Sequence, residues 1–322
     1  MILVDLNQVM IATLMAQINK TPEVDENLIR HMVLNCLRSY KKKYKEHGNM
    51  VICCDHRKNW RKLIFPEYKA HRKGLRQTSG LNWDTIFGSL NQLREDLQNH
   101  FPYRVVYIEG AEADDIIGVI VRLYHDYEFQ RELRASSKEL EGAMLAGDLW
   151  KSQKSSKSTH EMLILSGDKD FVQLQRYPRV KQYGPVQGKW IKNDDPIKAL
   201  NQQILEGDRG DGVPNFLTQG DVFVTKGRQK PLMRKKSRMW ATMNPDDFCT
   251  AETKAYYQRN KTMIDLTQTP LNISTEIVTE FLKPPKGNKT TVLNYLIKKR
   301  LKLLIEHLEE SVSYTHLPSP RD

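Results

Sequence analysis

The feature that most constrains the fold of this chain is a recurring pair: a short apolar run followed by acidic residues. Four runs, ILVDL, VICCD, RVVYIEG and EMLILSGD, read as buried strands, and carboxylates lie at or soon after the end of each. The C-terminal ends of parallel strands meet at one edge of an open α/β sheet, where ligands bind. With the Gly-rich segment LEGDRGDG, the pattern directs nine acidic residues to that edge: Asp5, Asp55, Glu112, Asp114, Asp115, Asp168, Asp170, Asp208 and Asp211.

The segments between these runs have helical periodicity. Apolar residues recur at helical spacing in residues 25–46 and again from Ile86 to Leu97. The alternation of strands and helices predicts an α/β fold with a mostly parallel sheet, right-handed crossovers and helices on both faces. From about residue 191 the strand signals fade, and segments such as DPIKALNQQILEG, AETKAYYQRNKTMIDL and KTTVLNYLIKKRLKLLIEHLEE predict helices.

These signals predict two domains. We expect an α/β domain over residues 1–190, a mainly helical domain over residues 191–310 and a disordered tail over residues 311–322. Within the first domain, residues 129–160 combine a helix-like half, RELRASSKELEGAML, with a Ser/Lys-rich half, GDLWKSQKSSKSTH, that is typical of a flexible loop.

The charge balance indicates a polyanionic partner. The chain has 50 Lys and Arg against 39 Asp and Glu, a net charge of +11, and the acids are partly concentrated in the predicted site. Nucleic acid fits such a surface best. No apolar run approaches the roughly 20 residues that span a bilayer, and the N-terminus lacks the layout of a secretion signal. The four cysteines lack metal-ligand spacing, which favours a reducing cytoplasm.

Each acidic motif also has a plain structural explanation. Acids in EADD suit a first helical turn, Ser-Gly-Asp suits a helix cap, and GDRGDG suits a surface turn. One or two acids would serve those purposes, whereas carboxylates crowded at one edge repel one another unless divalent cations neutralise them. Oxygen-only ligands suit Mg²⁺ or Mn²⁺, so the clusters together predict a metal-dependent enzyme. The N–H groups of GDRGDG are candidates to hold a phosphate.

Two basic stretches are candidate nucleic-acid contacts, although charge runs are often only solvated faces. The first is interleaved with aromatic residues, which can stack on unpaired bases, and it contains Lys69 and Arg72 at a helical spacing of three. We regard His56 and His71 as bystanders. The candidate contacts are Arg57, Arg61, Lys62, Tyr68, Lys69, Arg72, Lys73 and Arg76 in the first stretch, and Lys226, Arg228, Lys230, Arg234, Lys235, Lys236 and Arg238 in the second.

The motifs VDLNQ, CDH, PEYKAHR, EADD, SGDKDF and GDRGDGVP, in this order, resemble the flap endonuclease or 5′-nuclease family, and most of all its RNase H branch from T-even-type phages. The resemblance covers roughly residues 1–127 and 161–300. It implies a PIN-like α/β nuclease domain joined to a helical DNA-binding domain with a helix–three-turn–helix element. It also implies two Mg²⁺ ions, with Mn²⁺ as a possible substitute, that assist phosphodiester hydrolysis near a 5′ end.

The resemblance also implies roles for individual residues. Lys69 and Arg72 match a pair that contacts the scissile phosphate, Tyr68 is in place to stack on the terminal base, and residues 56–83 would form an arch over the site. The ligands of one side of the metal pair would be Asp5, Asp55, Glu112, Asp114 and Asp115, and those of the other side Asp168, Asp170, Asp208 and Asp211.

The chain departs from the family pattern after Asp211. GVPNFLTQGD replaces a Gly-rich hairpin, so the sequence does not support the family's monovalent-cation site, and the basic run 226–238 is a candidate to contact duplex phosphates instead.

The resulting expectation is a phage replication nuclease in the host cytoplasm. It would remove RNA primers and 5′ flaps during lagging-strand synthesis by 5′→3′ exonuclease and flap endonuclease activity. A single-strand-binding protein and a sliding clamp are possible partners, and a monomer is the default. Two alternatives remain open at this point: a catalytically silent protein that binds branched DNA, and a PIN-type ribonuclease that acts on free RNA.

Overall fold

The four apolar runs form four adjacent strands of one sheet. The computed structural model describes residues 1–18, 26–146 and 160–308. The sheet has the order β3-β2-β1-β4-β5-β6, parallel except for β6, which pairs antiparallel with β5. The predicted mostly parallel α/β sheet is confirmed. Its strands are β1 (Ile2–Asp5), β2 (Met50–Cys53), β3 (Arg104–Val106), β4 (Met162–Leu165), β5 (Val180–Gly184) and β6 (Lys189–Ile191).

The last two strands lack the apolar signal that marks the others. In β5, Lys181 is exposed, and Gln182 is buried with its amide satisfied, since it donates to the carbonyls of Ser166 and Asp168. In β6 only three residues pair with the sheet. A strand that replaces apolar side chains with a hydrogen-bonded glutamine has no clear apolar run, so the sequence predicts only the first four strands.

Helices connect the strands and make up most of the described chain after β6. They are α1 (Leu6–Ile18), α2 (Glu26–Lys43), α3 (Arg61–Ile64), α4 (Arg72–Thr78), α5 (Trp83–His100), α6 (Ala113–His125), α7 (Tyr127–Ser136), α8 (Lys138–Ala146), α9 (Pro196–Glu206), α10 (Arg234–Trp240), α11 (Ala251–Ile264), α12 (Leu271–Leu282), α13 (Lys289–Lys298) and α14 (Lys302–Ile305). A 3₁₀ helix, Lys169–Arg176, follows β4. None of the described helices is long and apolar enough to cross a membrane.

Two long helical predictions are interrupted in the structure. The segment 289–310 breaks between α13 and α14, where Arg300 adopts a left-handed φ of 56° that a helix cannot continue through. The first half of residues 129–160 forms parts of α7 and α8, which separate at Ser137. The Ser/Lys-rich half falls mostly on residues 147–159, and the predicted tail lies beyond residue 308; both are outside the described ranges.

The final helices pack on the sheet rather than apart from it. One apolar layer unites strand residues with α2 and α5 and also takes in Val292 and Tyr295 of α13. The opposite layer unites α6 with Ile277 and Phe281 of α12. The division at residue 190 therefore stays a prediction, and the chain after it returns to complete both layers of the α/β core.

Candidate active site

The C-terminal ends of β1, β2 and β4 place three aspartates at one edge of the sheet. Asp5 ends β1 and is level with Cys53, so Asp55 lies just beyond it, while Asp168 follows Leu165, the neighbour of Val4. Asp5 accepts hydrogen bonds from the backbone N–H of Gln8 (3.1 Å) and the hydroxyl of Ser166 (3.2 Å). The backbone donor lies in the first turn of α1, so strand and helix together orient this carboxylate.

The start of α6 adds carboxylates from the neighbouring strand connection. Glu112 is the N-cap residue, and the N–H of Ala113 donates to Oδ1 of Asp55 (2.7 Å), while Asn7 donates to Oδ2 of the same aspartate (2.7 Å). Asp114 is half-buried, and no hydrogen-bond donor of the described chain reaches its carboxylate. It is the acidic group of the site with the least local compensation.

The third part of the site comes from the loop after β4 and from the Gly-rich turn. Oδ1 of Asp168 accepts from the N–H of Asp170 (3.0 Å), and the carboxylate of Asp170 accepts from Gln203 of α9. Lys169 Nζ lies 3.1 Å from Asp208 Oδ2, which joins this loop to the turn.

The Gly-rich turn uses its own N–H groups. Oδ1 of Asp208 accepts from the N–H of Gly210 (2.8 Å) and of Asp211 (3.2 Å), and Gly212 donates to the carbonyl of Arg209. The prediction that these N–H groups hold a phosphate is therefore wrong for the described geometry. The turn instead presents the Asp211 carboxylate to the site.

Lys69 and Arg72 both contact the acidic cluster, but they do not lie on one helix face as their spacing predicts. Lys69 precedes α4 with a left-handed φ of 58°, so the two residues do not share a helix. Lys69 Nζ lies 2.6 Å from Glu112 Oε1 and 3.5 Å from Asp211 Oδ2, and Arg72 Nη2 donates to Asp211 Oδ1 (2.6 Å). A backbone bond from Lys69 to the carbonyl of Asp211 (2.7 Å) holds the two segments together.

Tyr68 is not available to stack on a base. Its side chain is 2% exposed, and its hydroxyl lies 2.8 Å from Glu112 Oε2 and 2.7 Å from Asp211 Oδ2, to either of which it can donate its proton. The stacking role predicted for Tyr68 is wrong, because the ring is enclosed by the site that it supports.

Asp115 and Arg61 pair with each other in the interior instead of acting as ligand and nucleic-acid contact. Asp115 is fully buried and accepts two hydrogen bonds from the Arg61 guanidinium (2.8 and 2.9 Å). Trp60 Nε1, the Thr269 hydroxyl and the N–H of Glu112 supply three more donors. These hydrogen bonds use the lone pairs of the Asp115 carboxylate, and Arg61 is 2% exposed. The predictions of a metal ligand at Asp115 and of a nucleic-acid contact at Arg61 are therefore corrected: Asp115 is a structural anion and Arg61 is its counter-ion.

The carboxylates of the cluster raise one another's pKa values. Burial, with the charge of Asp55, raises the pKa of Asp5 to about 7, and burial, with the charge of Asp168, raises the pKa of Asp170 to about 8. Burial and like charges also raise the pKa values of Asp55, Asp114 and Asp168. The cluster therefore holds more negative charge than the protein groups around it stabilise.

Glu112 is the exception in this cluster. Burial by itself would raise its pKa, but the charges of Lys69 and Arg61 outweigh burial and hold the pKa of Glu112 at about 2. Burial likewise opposes the charge of Lys69, yet Glu112 and Asp211 raise the pKa of Lys69 above its usual value. Both groups are charged at neutral pH and form a fixed pair at the rim of the acidic cluster.

The donor set fits hard divalent cations. It consists of carboxylates, their mutual repulsion is only partly compensated, and Asp114 has no hydrogen-bond donor of its own in the described chain. Within the described ranges no three of these side chains converge into a ready-made metal cage. The pairing of Glu112, Asp211 and Asp208 with Lys69, Arg72 and Lys169 accounts for this, because ion pairs draw those carboxylates toward side-chain cations.

Several supporting residues are uncharged and owe their role to tertiary contacts. Gln8 accepts from the Gly167 N–H, which fixes the loop after β4 to α1, and its Oε1 lies 3.0 Å from the Ser166 hydroxyl oxygen. Gln203 reaches Asp170 from α9, more than thirty positions away. A polar residue on an amphipathic helix is ordinarily solvated, so only the tertiary contact identifies it.

Most of the predicted nucleic-acid contacts lie on the surface. Apart from the buried Arg61 and Tyr68, and the half-buried Lys69 and Arg72, every residue of the two basic stretches proposed as a contact is exposed: Arg57, Lys62, Lys73, Arg76, Lys226, Arg228, Lys230, Arg234, Lys235, Lys236 and Arg238.

A mostly parallel sheet with carboxylates at its C-terminal edge, flanked by helices, is the architecture of a PIN-like domain. Residues 1–141 match the family model described as the 5′-3′ exonuclease, N-terminal resolvase-like domain, and residues 197–311 match the model described as T4 RNase H, C terminal. The resemblance that the motifs predict is confirmed: the chain carries a 5′-3′ exonuclease N-terminal domain followed by a T4 RNase H C-terminal domain.

Two curated relatives support this assignment. Ribonuclease H of Enterobacteria phage T4 is 28% identical in an alignment of 323 positions that covers 96% of this chain and 94% of that protein. Flap endonuclease Xni of Shewanella oneidensis is 24% identical over 199 residues, which cover 59% of this chain and 60% of that protein.

Solved structures share the fold. A bacteriophage T5 flap endonuclease, crystallised as a pseudo-enzyme–product complex with DNA and metal ions, aligns with a TM-score of 0.55 at 16% identity over 87% of this chain and 97% of that one. The T5 protein co-crystallised with metal ions aligns with a TM-score of 0.51 at 15% identity over 88% and 99%. At these identities the similarity supports the architecture alone.

Proposed function

We propose that this chain is a divalent-metal-dependent 5′ nuclease that hydrolyses phosphodiester bonds near the 5′ end of branched or nicked duplexes. One observation carries the proposal: carboxylates from distant segments gather at the C-terminal edge of the sheet and raise one another's pKa values, with Lys69 and Arg72 beside them. A cluster that disfavours its own ionised form is stabilised when cations bind it.

Two Mg²⁺ ions, or Mn²⁺ in their place, suit this donor set. Asp115 is omitted from the ligands because Arg61 occupies it. Bound divalent cations would supply a nucleophile at neutral pH and neutralise the departing oxygen. The residues proposed to hold them are Asp5, Asp55, Glu112 and Asp114 on one side and Asp168, Asp170, Asp208 and Asp211 on the other.

Lys69 and Arg72 are proposed to bind the scissile phosphate. Their charged groups lie at the rim of the acidic cluster, within 2.6 Å of Glu112 and Asp211 respectively. Positive charge fixed there stabilises the negative charge that develops on phosphoryl oxygens in the transition state. The Tyr68 hydroxyl contacts the carboxylate of Asp211, and the backbone N–H of Lys69 donates to the carbonyl of the same residue. These contacts hold Lys69 and Arg72 against the Gly-rich turn.

The exposed basic residues of the two stretches would bind the nucleic-acid backbone. The relatives named ribonuclease H and flap endonuclease suggest RNA primers and 5′ flaps as substrates, hence a role in phage lagging-strand replication. We extend the proposal to the host cytoplasm as the location, a monomer as the active form, and a single-strand-binding protein and a sliding clamp as partners.

A cleavage assay tests the proposal. A 5′-labelled flap duplex and an RNA-primed duplex are incubated with the protein and Mg²⁺, and the variant Asp114→Asn is compared with the wild type. We expect short 5′ fragments from the wild type, and from the variant a rate lower by orders of magnitude with duplex binding retained. Binding of both duplexes without cleavage would make the protein a silent DNA-binding module. A free single-stranded RNA is incubated in parallel, and cleavage of that RNA alone would make the protein a ribonuclease.

A further inference from the structure

The loop of residues 214–220, which follows the Gly-rich turn, is held by two side chains of α11. Arg259 donates from Nη1 to the carbonyl of Thr218 and from Nη2 to the carbonyl of Pro214, each at 3.2 Å. Asn260 donates to the same Pro214 carbonyl (2.8 Å) and to the carbonyl of Ile204 (2.8 Å). The 214–220 loop is thus fixed against α9 and α11 by contacts to its backbone.

The charge of Arg259 has no carboxylate partner in the described chain. Its remaining hydrogen bonds run from Nε and Nη2 to Oδ1 of Asn260 (3.0 and 2.9 Å), so all its hydrogen-bond acceptors are neutral. Among the described residues no carboxylate lies within 4.0 Å of it, unlike Arg61 and Arg72. A guanidinium has five N–H groups, and one on Nη1 has no acceptor within the described ranges.

Burial of this cation is only partly offset by its surroundings. Burial lowers the pKa of Arg259 to about 10, although Tyr256 and the more distant Glu67 act in the opposite direction. The guanidinium is still charged at neutral pH, because this value lies well above 7. A charged group in such a setting gains stability from an anion placed beside it.

The position of Arg259 connects the two basic stretches. Its guanidinium lies 5.5 Å from the ring of Phe65, a residue of the first basic stretch between α3 and Lys69. Gly220, the last residue of the loop, also lies against this ring, since a Cβ added to it would come within 2.6 Å of the ring. The 214–220 loop therefore lies against the base of the first basic stretch.

On its other side the same loop anchors the second stretch. Asn215 donates to the carbonyl of Lys230 (2.8 Å), and the N–H of Lys230 donates to the Thr218 hydroxyl (3.0 Å). Arg259 is thus the fixed positive charge at the junction between the two basic stretches.

We propose that Arg259 binds a backbone phosphate of the nucleic acid at the 214–220 loop. The ligand class is a phosphodiester, and the site joins the two basic stretches into one continuous surface. This inference rests on the proposed function, because it needs a nucleic-acid substrate, but it adds a binding residue that lies outside both basic runs.

The test is the salt dependence of binding to the flap duplex, measured by fluorescence anisotropy in EDTA so that no cleavage occurs. The slope of log K against log salt changes by about 0.9 for each phosphate that the protein no longer neutralises, which corresponds to about eightfold weaker binding at ~0.1 M salt. We expect this change for Arg259→Gln, whereas Arg259→Lys keeps most of the slope. Arg131→Gln, at an exposed residue of α7 that pairs with Glu128, is the matched control with an unchanged slope.

Thermal unfolding of each variant separates this role from a structural one. If Arg259→Gln is destabilised but keeps the wild-type slope, or if the lysine variant loses as much slope as the glutamine variant, Arg259 only supports the loop and the inference is overturned. That result would leave the proposed function intact as long as the wild type binds and cleaves the duplex. Absence of binding and cleavage by the wild type would overturn both.

Discussion

At the residue scale, Asp114 and Asp115 are adjacent in sequence and opposite in role. Asp115 is fully buried against Arg61, whereas Asp114 is half-buried and faces the charges of Asp168 and Asp5. The side chains of adjacent helical residues point in different directions, so one carboxylate enters the interior and the other enters the acidic cluster.

This contrast predicts opposite effects of the same substitution. Asp115→Asn leaves the buried Arg61 without its anion, and we expect a loss of about 3–5 kcal/mol in the free energy of unfolding. Asp114→Asn removes a repelled charge and should leave the free energy of unfolding unchanged or raise it, while abolishing cleavage. Urea unfolding of the two variants checks this, and equal destabilisation would contradict the assignment.

The raised pKa values of the acidic cluster contribute stability that is lost with increasing pH in EDTA. Asp5 and Asp170 titrate near 7 and 8 in the folded protein but near 3.8 in the unfolded chain. Between about pH 4 and 8 these two carboxyls therefore hold more protons in the folded state than in the unfolded chain, and the stability that they contribute declines as pH rises through this window.

Thermal unfolding from pH 5 to 8 measures this effect. Relative to Asp170→Asn, the wild type should lose melting temperature in EDTA as pH rises, whereas Mg²⁺ should raise the wild-type melting temperature more at pH 8 than at pH 5. A difference between wild type and Asp170→Asn that does not change with pH would contradict the predicted charge repulsion. Glu112 acts in the opposite sense, since its pKa of about 2 gives stability that is lost as pH falls below about 4.5.

At the element scale, the Gly-rich turn owes its shape to positions that exclude side chains. Gly212 has a φ of 75°, and a Cβ there would lie 3.0 Å from His71 Nδ1 and 3.2 Å from the carbonyl of Glu67. The turn can therefore approach the segment before α4 closely enough for Asp211 to meet Lys69 and Arg72.

Gly212→Ala should accordingly destabilise the protein by about 1–2 kcal/mol, because the left-handed conformation disfavours a Cβ. The control is Gly142→Ala in α8, where a Cβ meets nothing within 4 Å and helix propensity favours alanine by about 0.5–1 kcal/mol. Urea unfolding compares the two variants, with cleavage as a second readout. Equal stability of both alanine variants would show that the close approach is not required.

At the scale of the whole molecule, the chain returns to its first half to complete the core. Val292, Tyr295 and Leu296 of α13 join the layer on one face of the sheet, and Ile277 and Phe281 of α12 join the layer on the other. Each layer would expose apolar surface without these helices, and burial of such side chains contributes about 1.5–3 kcal/mol apiece.

A fragment of residues 1–190 should therefore lack cooperative unfolding. We expect it to bind a hydrophobic dye and to lose near-ultraviolet circular dichroism while it retains helical signal, as a loosely packed state does. The full chain is the control. A fragment that unfolds cooperatively near the melting temperature of the full chain would instead support an independent domain ending at residue 190.

The sequence by itself determined the features that depend on local pattern. Four apolar runs followed by acids predicted the central parallel strands, and helical periodicity predicted most of the long helices. The order and spacing of the acidic motifs predicted the family. The sequence predicts these features because strands and helices that pack against one sheet need apolar residues at fixed spacings. It also predicts the acidic site because the C-terminal ends of parallel strands share one edge of the sheet.

Only the tertiary structure decided which polar groups meet. It placed Asp115 against Arg61, enclosed Tyr68, recruited Gln203 to Asp170 and left Arg259 without a carboxylate partner in the described chain. A sequence records the type of each side chain but not its direction or its distant neighbours. Since the charge state of a buried group depends on those neighbours within a few ångströms, the division between structural and functional carboxylates is a property of the folded chain.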